Sequence, residues 1–210
     1  MLHIALCDDH PTFREGLKRI LLQSPDIRVD VEAGRGADLL QQIEGKPIDV
    51  IILDIALPDM NGLDVLKRLQ SSGRSAAVLM LSMLSEEQYA TRALKAGASG
   101  YLQKESVPSE ILTAIRRIAG GGKYITTSLA ERLADELAGN QDAPPHELLS
   151  DREYQVLCLL ASGKSVKEIA FELSLKAPTV ATYRARVMSK LSLTSTVDLV
   201  RYALKHRLID

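Results

Sequence analysis

The stretch Val50-Ile51-Ile52-Leu53-Asp54-Ile55-Ala56-Leu57-Pro58-Asp59-Met60-Asn61-Gly62 decides the fold. Its first four residues are apolar and β-type without alternation, the pattern of a strand covered on both faces of a sheet. That strand stops on a lone carboxylate, Asp54. A second strand, Leu2 to Cys7, runs straight into Asp8-Asp9. If the two are parallel neighbours, three acids gather at one sheet edge.

Outward from this stretch the same grammar repeats through residue 120. Apolar runs at Ile4 to Cys7, Ile27 to Val31, Val50 to Leu53, Val78 to Leu81 and Gly100 to Leu102 alternate with helix-period segments. Those segments are Phe13 to Leu22, Gly36 to Ile43, Leu63 to Leu69, Glu86 to Ala96 and Glu110 to Ala119. Alternation of this kind specifies a parallel sheet with helices on both faces. Ser85 with Gln88 makes a capping box for the fourth helix, and Pro108 falls in the first turn of the fifth. After residue 120 come an amphipathic piece, Leu129 to Leu137, and a polar, proline-bearing stretch, Gly139 to His146, that reads as a linker.

Beyond the linker every signal is helical. Ser150 with Glu153 and Ser165 with Glu168 form two capping boxes, and Ser195 with Asp198 a weaker third. Apolar residues at helical spacing follow, so residues 148–210 are expected to form a compact all-α domain of four helices. The pair joined by Leu173-Ser174-Leu175-Lys176 has helix-turn-helix spacing. The expected organisation is therefore a sheet domain over 1–120, a linker with a short helix over 121–147, and the helical domain.

Charge divides the same way. Residues 148–210 hold 10 Lys and Arg against 6 Asp and Glu, net +4, which leaves 16 against 21, net −5, in the remainder of a chain whose total is −1. An acidic part joined to a basic one suggests different partners for each, the basic one meeting nucleic acid. The 210 residues, 46% hydrophobic and 25% charged, suffice for one large or two smaller soluble domains. No apolar run approaches the ~20 residues of a spanning helix, and Met1-Leu2-His3 offers no basic leader. A cytoplasmic location without a membrane partner is expected. Cys7 and Cys158 lie in apolar runs without metal-type spacing and read as free buried thiols.

In a doubly wound sheet, ligands bind beyond the carboxyl ends of the strands. Asp8, Asp9 and Asp54 stand there and would repel one another unless a cation lay between them, and oxygen ligands suit Mg²⁺. Two further strand ends deliver Ser82 and Lys104. A hydroxyl and an ammonium beside a metal-bound carboxylate form a phosphoryl pocket, because phosphoryl transfer needs positioning and charge neutralisation.

On these residues the first 120 positions resemble the receiver domains of bacterial two-component response regulators. The resemblance implies a five-stranded parallel sheet in flavodoxin-like order. It also implies Asp54 as phosphoacceptor, Mg²⁺ held by Asp8, Asp9, Asp54 and the Ala56 carbonyl, and Ser82, Tyr101 and Lys104 as the groups that respond to the phosphoryl. A sensor histidine kinase would be the donor. Many receivers follow the lysine with a cis-proline; Glu105 stands here, so a trans Lys104–Glu105 peptide is expected.

The segment Leu149 to Leu157, with Glu168-Ile169-Ala170, Thr179-Val180 and Lys190-Leu191, resembles the LuxR-type helix-turn-helix. Together the two halves are similar to the NarL/FixJ class, transcription factors that bind double-stranded DNA as homodimers under phosphoryl control. Helix 178 to 191 would enter the major groove with Val180, Val187 and Leu191 inward and Thr179, Thr182, Tyr183, Arg184, Arg186 and Lys190 outward. Ala181 and Tyr183 depart from the Lys and His of many relatives, so base preference does not carry over. Lys176 stands where a capping serine is usual, and a DNA phosphate contact is the expected compensation. An aspartyl-phosphate enzyme, the rival class, usually carries a second acid two residues after its nucleophile, where this chain has Ala56. A regulator that binds DNA irrespective of phosphorylation is the third reading.

Overall fold

The structure, a computed structural model, describes residues 1–83, 86–137, 144–206 and 208–209. It divides into two compact units, Met1–Ala130 and Glu131–Asp210. Ser85, the expected cap of the fourth helix, and residues 139–143 of the expected linker lie outside the described residues.

In the first unit, β1 (Leu2–Cys7), α1 (Pro11–Leu22), β2 (Ile27–Ala33), α2 (Gly36–Gln42), β3 (Val50–Leu53) and α3 (Gly62–Ser71) follow one another in chain order. Next come β4 (Ala77–Ser82), α4 (Glu86–Lys95), β5 (Gly100–Gln103) and α5 (Pro108–Ala119). The strands pair in parallel in the order β2-β1-β3-β4-β5, the flavodoxin-like order expected. The order reverses between β1 and β3, which opens a crevice at their carboxyl ends. Register sets Cys7 beside Leu53, so Asp8 and Asp54 emerge from neighbouring strands at the same level.

Burial explains the unbroken apolar runs. Val50 and Ile52 join Ile4, Leu6, Leu79, Leu81 and Leu102 in one core cluster with Leu17 and Leu21 of α1 and Ile111, Ile115 and Ile118 of α5. Ile51 and Leu53, which alternate to the opposite face, are also fully buried. Pro108 opens α5 as its first residue, where a missing N–H costs nothing.

A helix α6 (Thr127–Leu137) follows, with its residues to Ala130 in the first unit. The second unit contains a short 3₁₀ turn at Pro145–Leu148, then α7 (Asp151–Ala161), α8 (Val166–Glu172), α9 (Ala177–Lys190) and α10 (Thr196–Lys205). Both capping boxes are complete: Ser150 and Ser165 accept from the amides of Glu153 and Glu168, whose carboxylates accept from the serine amides. Ser195 caps α10 by accepting from the Asp198 amide. Val156, Leu157, Ile169, Val180, Val187 and Leu199 fill the interior of this unit. Between α8 and α9, Ser174 takes a left-handed φ of 51° while the Leu175 amide donates to the Ala170 carbonyl at 2.8 Å, which turns the chain sharply into α9. Among the described residues, no helix is long and apolar enough to cross a membrane.

Candidate functional site

Asp54 follows the last residue of β3 and is 2% exposed. Its amide donates to the Cys7 carbonyl at 2.9 Å, so the backbone ladder carries β3 pairing one residue beyond the strand and fixes where the side chain starts. Its carboxylate takes two bonds. Oδ1 accepts from the Ala56 amide at 3.2 Å and Oδ2 from Lys104 Nζ at 2.7 Å.

Lys104 arrives from the far side of the crevice. Its amide donates to the Ser82 carbonyl at 2.9 Å, which extends the β4–β5 pairing and aims the side chain back across β4. The ammonium lies between two acids, 2.6 Å from Asp8 Oδ2 and 2.7 Å from Asp54 Oδ2, with a lysine side chain only 3% exposed. It also sits 4.8 Å from the centre of the Phe13 ring, whose face favours a desolvated cation. Burial disfavours the ammonium, yet Asp54 and Asp8 together outweigh it and hold the Lys104 pKa above its ordinary value. Burial pushes the Asp54 carboxyl above the usual carboxylate range, with the neighbouring Asp8 adding to the rise and Lys104 opposing it. The repulsion expected among the acids is thus answered in part by a cation of the chain itself.

Asp8 and Asp9 complete the cluster. The His10 amide donates to Asp8 Oδ1 at 2.8 Å, and Arg14 donates to the Asp8 carbonyl at 2.6 Å. Asp9 Oδ1 is buried and lies 2.7 Å from His10 Nδ1, without a well-aligned hydrogen bond. Ligand atoms of Asp8, Asp9, His10 and Asp54 all fall within 4.8 Å of one another. A mainly carboxylate donor set of this span fits a small hard cation such as Mg²⁺. Ser82 and Tyr101 are fully buried at the ends of β4 and in β5, and among the described residues no peptide bond is cis, Lys104–Glu105 included. Cys7, one residue before the acids, has a thiol raised far above its ordinary pKa by burial and then by Asp54 and Asp59, so it stays protonated and unreactive.

The structure therefore brings Asp8, Asp9, Asp54 and Lys104 together and sets Ser82 and Ala56 at the adjoining strand end and loop. Sequence reading missed Phe13, His10 and Arg14. Phe13 looked like the first core position of a helix, and only its proximity to Lys104 reveals the second role.

The other candidate face is α9. Val180 and Val187 are fully buried and Leu191 nearly so, while Thr179, Thr182, Arg184, Arg186 and Lys190 are exposed and Tyr183 is half-buried. Lys176 holds the N-cap position and makes no capping bond, as its chemistry demands. Three outward residues have polar partners within the chain: Thr182 donates to the Pro178 carbonyl at 3.0 Å, Arg184 to Thr196 Oγ1 at 3.1 Å, and Lys190 to Glu153 Oε2 at 2.6 Å.

Comparison with known proteins gives the family of each segment. Residues 4–116 match the family model of the response regulator receiver domain, and residues 147–203 that of the bacterial regulatory proteins of the luxR family. The chain belongs to the two-component response regulators. It is a response regulator of the NarL/FixJ class, a transcriptional regulator with a LuxR-type DNA-binding domain. The response regulator UvrY of Escherichia coli K12 is 32% identical over 211 residues, covering 100% of this chain and 97% of that protein. The transcriptional regulatory protein UhpA of the same strain is 39% identical over 201 residues, 96% of this chain and 97% of that one. The crystal structure of the response regulator ChrA, from a heme-sensing two-component system, superposes with a TM-score of 0.54 at 30% identity, covering 99% of this regulator and 98% of ChrA.

Proposed function

We propose that this regulator is switched by phosphorylation of Asp54, with a phosphohistidine of a sensor histidine kinase as donor. The observation that carries the reading is the buried Lys104 ammonium shared by Asp54 and Asp8, 2.7 and 2.6 Å away. A buried carboxyl nucleophile and a fixed cation are held together at the switch point of the sheet. Asp54 attacks phosphorus in line, its oxygen–phosphorus bond forms as the phosphorus–nitrogen bond breaks, and the leaving imidazole keeps the electron pair. Asp8, Asp9, Asp54 and the Ala56 carbonyl would hold Mg²⁺, which when bound neutralises charge on the phosphoryl oxygens. The chain catalyses its own phosphoryl transfer and a slow hydrolysis, and turns over no separate substrate.

The response follows from what the phosphoryl group offers that the carboxylate does not. Inverting a 1:99 population needs about 5.5 kcal/mol of differential interaction. Lys104 is bonded to Asp54 before any transfer, so its move to a phosphoryl oxygen exchanges one charge-assisted bond for another and contributes only the difference. The remainder falls to a Ser82 hydrogen bond to the phosphoryl group, of a kind worth about 1.5 to 3 kcal/mol less the bond Ser82 gives up, to the packing of Tyr101, and to dimer formation. For the dimer, α10 supplies an apolar stripe one heptad long, Val197 at 65% and Leu204 at 51% exposed, opposite its buried Leu199 and Ala203. Two copies of α9 then read successive turns of double-stranded DNA, through Lys176, Thr179, Thr182, Tyr183, Arg184, Arg186 and Lys190. Such work on the chromosome accords with a cytoplasmic protein.

The test treats wild type and Asp54→Ala with a small phosphodonor and Mg²⁺ and measures dimerisation and DNA binding. Both should rise in wild type alone. An unresponsive wild type defeats phosphoryl control, and an equal response in Asp54→Ala removes Asp54 as the acceptor.

A further inference from the structure

We propose that Asp59 is a positioning residue for the cation site: its carboxylate clamps the loop after Asp54 to the start of α2 and thereby holds the Ala56 carbonyl in its ligating place. The proposal rests on the Mg²⁺ reading of the site. Helix α2 begins without a cap of its own, since Arg35 at its N-cap makes no side-chain bond. Two of its first amides are satisfied from elsewhere: Gly36 donates to Asp59 Oδ1 at 2.9 Å and Ala37 to Asp59 Oδ2 at 2.9 Å, across 23 and 22 residues of sequence. Both carboxylate oxygens are engaged, so the side chain has no free rotamer to spend.

The loop has little slack elsewhere. A Cβ on Gly36 would lie 2.6 Å from Val65 Cγ2 and 2.9 Å from Met60 Cγ, so the start of α2 rests directly on the loop and on α3. At the loop's far end the Gly62 amide donates to the Ile55 carbonyl at 2.9 Å, and a Cβ there would lie 2.0 Å from the Asp54 carbonyl oxygen. Asn61 caps α3 by accepting from the Leu63 amide at 2.8 Å and pairs through its backbone with Ala56. The base of the loop is thus tied to Asp54 itself, and its tip is tied to α2 through Asp59. Freeing the tip lets the backbone at Ala56 move, whose amide bonds Asp54 Oδ1 and whose carbonyl is the expected ligand. Partners that orient ligands from behind in this way typically change metal affinity by about 10- to 100-fold when removed.

The experiment is a titration of the full chain with MgCl₂, followed by amide NMR shifts, in wild type, Asp59→Ala and Asp59→Asn, with thermal unfolding of each. In wild type, saturable shifts should appear at Asp8, Asp9, Asp54 and Ala56. Asp59→Ala should raise the Kd for Mg²⁺ about tenfold, and Asp59→Asn, which keeps one acceptor oxygen, should fall between. A Kd unchanged within twofold, while the Gly36 and Ala37 amides shift or the melting temperature drops, would reduce the clamp to a stability element and overturn the proposal. If Asp59→Ala does not fold, the comparison of wild type with Asp59→Asn decides it in the same terms. No saturable shift in wild type takes away the Mg²⁺ reading, and the proposal with it; a wild-type response that both variants share removes the proposal alone.

Discussion

Replacing Lys190 by methionine decides whether the end of α9 is a DNA contact or a lock on α7. Its outward place on the helix predicts a DNA contact. Within the chain its ammonium lies 2.6 Å from Glu153 Oε2 and 3.3 Å from the Leu148 carbonyl. Glu153 is buried, and the same oxygen accepts from the Ser150 amide at 2.8 Å. Methionine keeps the aliphatic stem and removes only the charge, so no cavity opens. A hydrogen bond between charged groups is worth about 1.5 to 3 kcal/mol. Because the lysine side chain is 41% exposed, water screens part of this, and about 1 to 2 kcal/mol remains.

The sign of the pH dependence follows from Glu153. Burial alone would raise its pKa, but Lys190 and the Ser150 groups outweigh burial and hold it below the usual glutamate value. The unfolded chain therefore takes up the proton first as pH falls. The stabilisation is whole above the unfolded value, about 4.3, and is lost as pH drops through the lower folded one. Amide hydrogen exchange in α7 and α9 reads the opening of this unit by itself. Lys190→Met should exchange roughly 5- to 30-fold faster at neutral pH, the difference closing in acid, while the salt slope of DNA binding changes by well under one unit. Unchanged exchange together with a slope reduced by about one would refute the lock and return Lys190 to the DNA.

Two other substitutions probe the acidic site. Lys104→Met leaves Asp8 and Asp54 buried and facing each other without their shared cation; the first unit should lose about 3 to 5 kcal/mol in thermal unfolding and recover part of it in MgCl₂, and an unchanged melting temperature would show that the pair is not held as described. Gly62→Ala places a Cβ 2.0 Å from the Asp54 carbonyl oxygen, a backbone atom that cannot swing aside. It should cost at least about 1 to 3 kcal/mol and slow phosphoryl uptake from a small donor, measured by intact mass; uptake at the wild-type rate would rule out the close approach.

Why some of this was legible in the sequence and some was not comes down to the range of each interaction. Strands β1 and β3 announced themselves because a sheet covered on both faces leaves no polar residue from Ile4 or Val50 to the strand end, and that rule also marked Asp8, Asp9 and Asp54. Capping boxes are equally local: Ser150 with Glu153 and Ser165 with Glu168 close within one turn, and both formed as read. Other pairings stayed hidden because the partner lies far along the chain. Asp59 satisfies amides 22 and 23 residues earlier, Glu153 takes a lysine 37 residues later, and Lys104, expected as a phosphoryl contact, already spans 50 residues to bond Asp54 directly. In each case residue type specified only that a partner was needed, since an unpaired buried charge is too costly to leave. For Lys104, sheet register chose the partner. Aligning Cys7 with Leu53 and Met80 with Tyr101 is what turns three acids and a lysine on separate strands into one site. The phosphoryl chemistry proposed for Asp54 is therefore a property of the sheet register first and of the acid itself second.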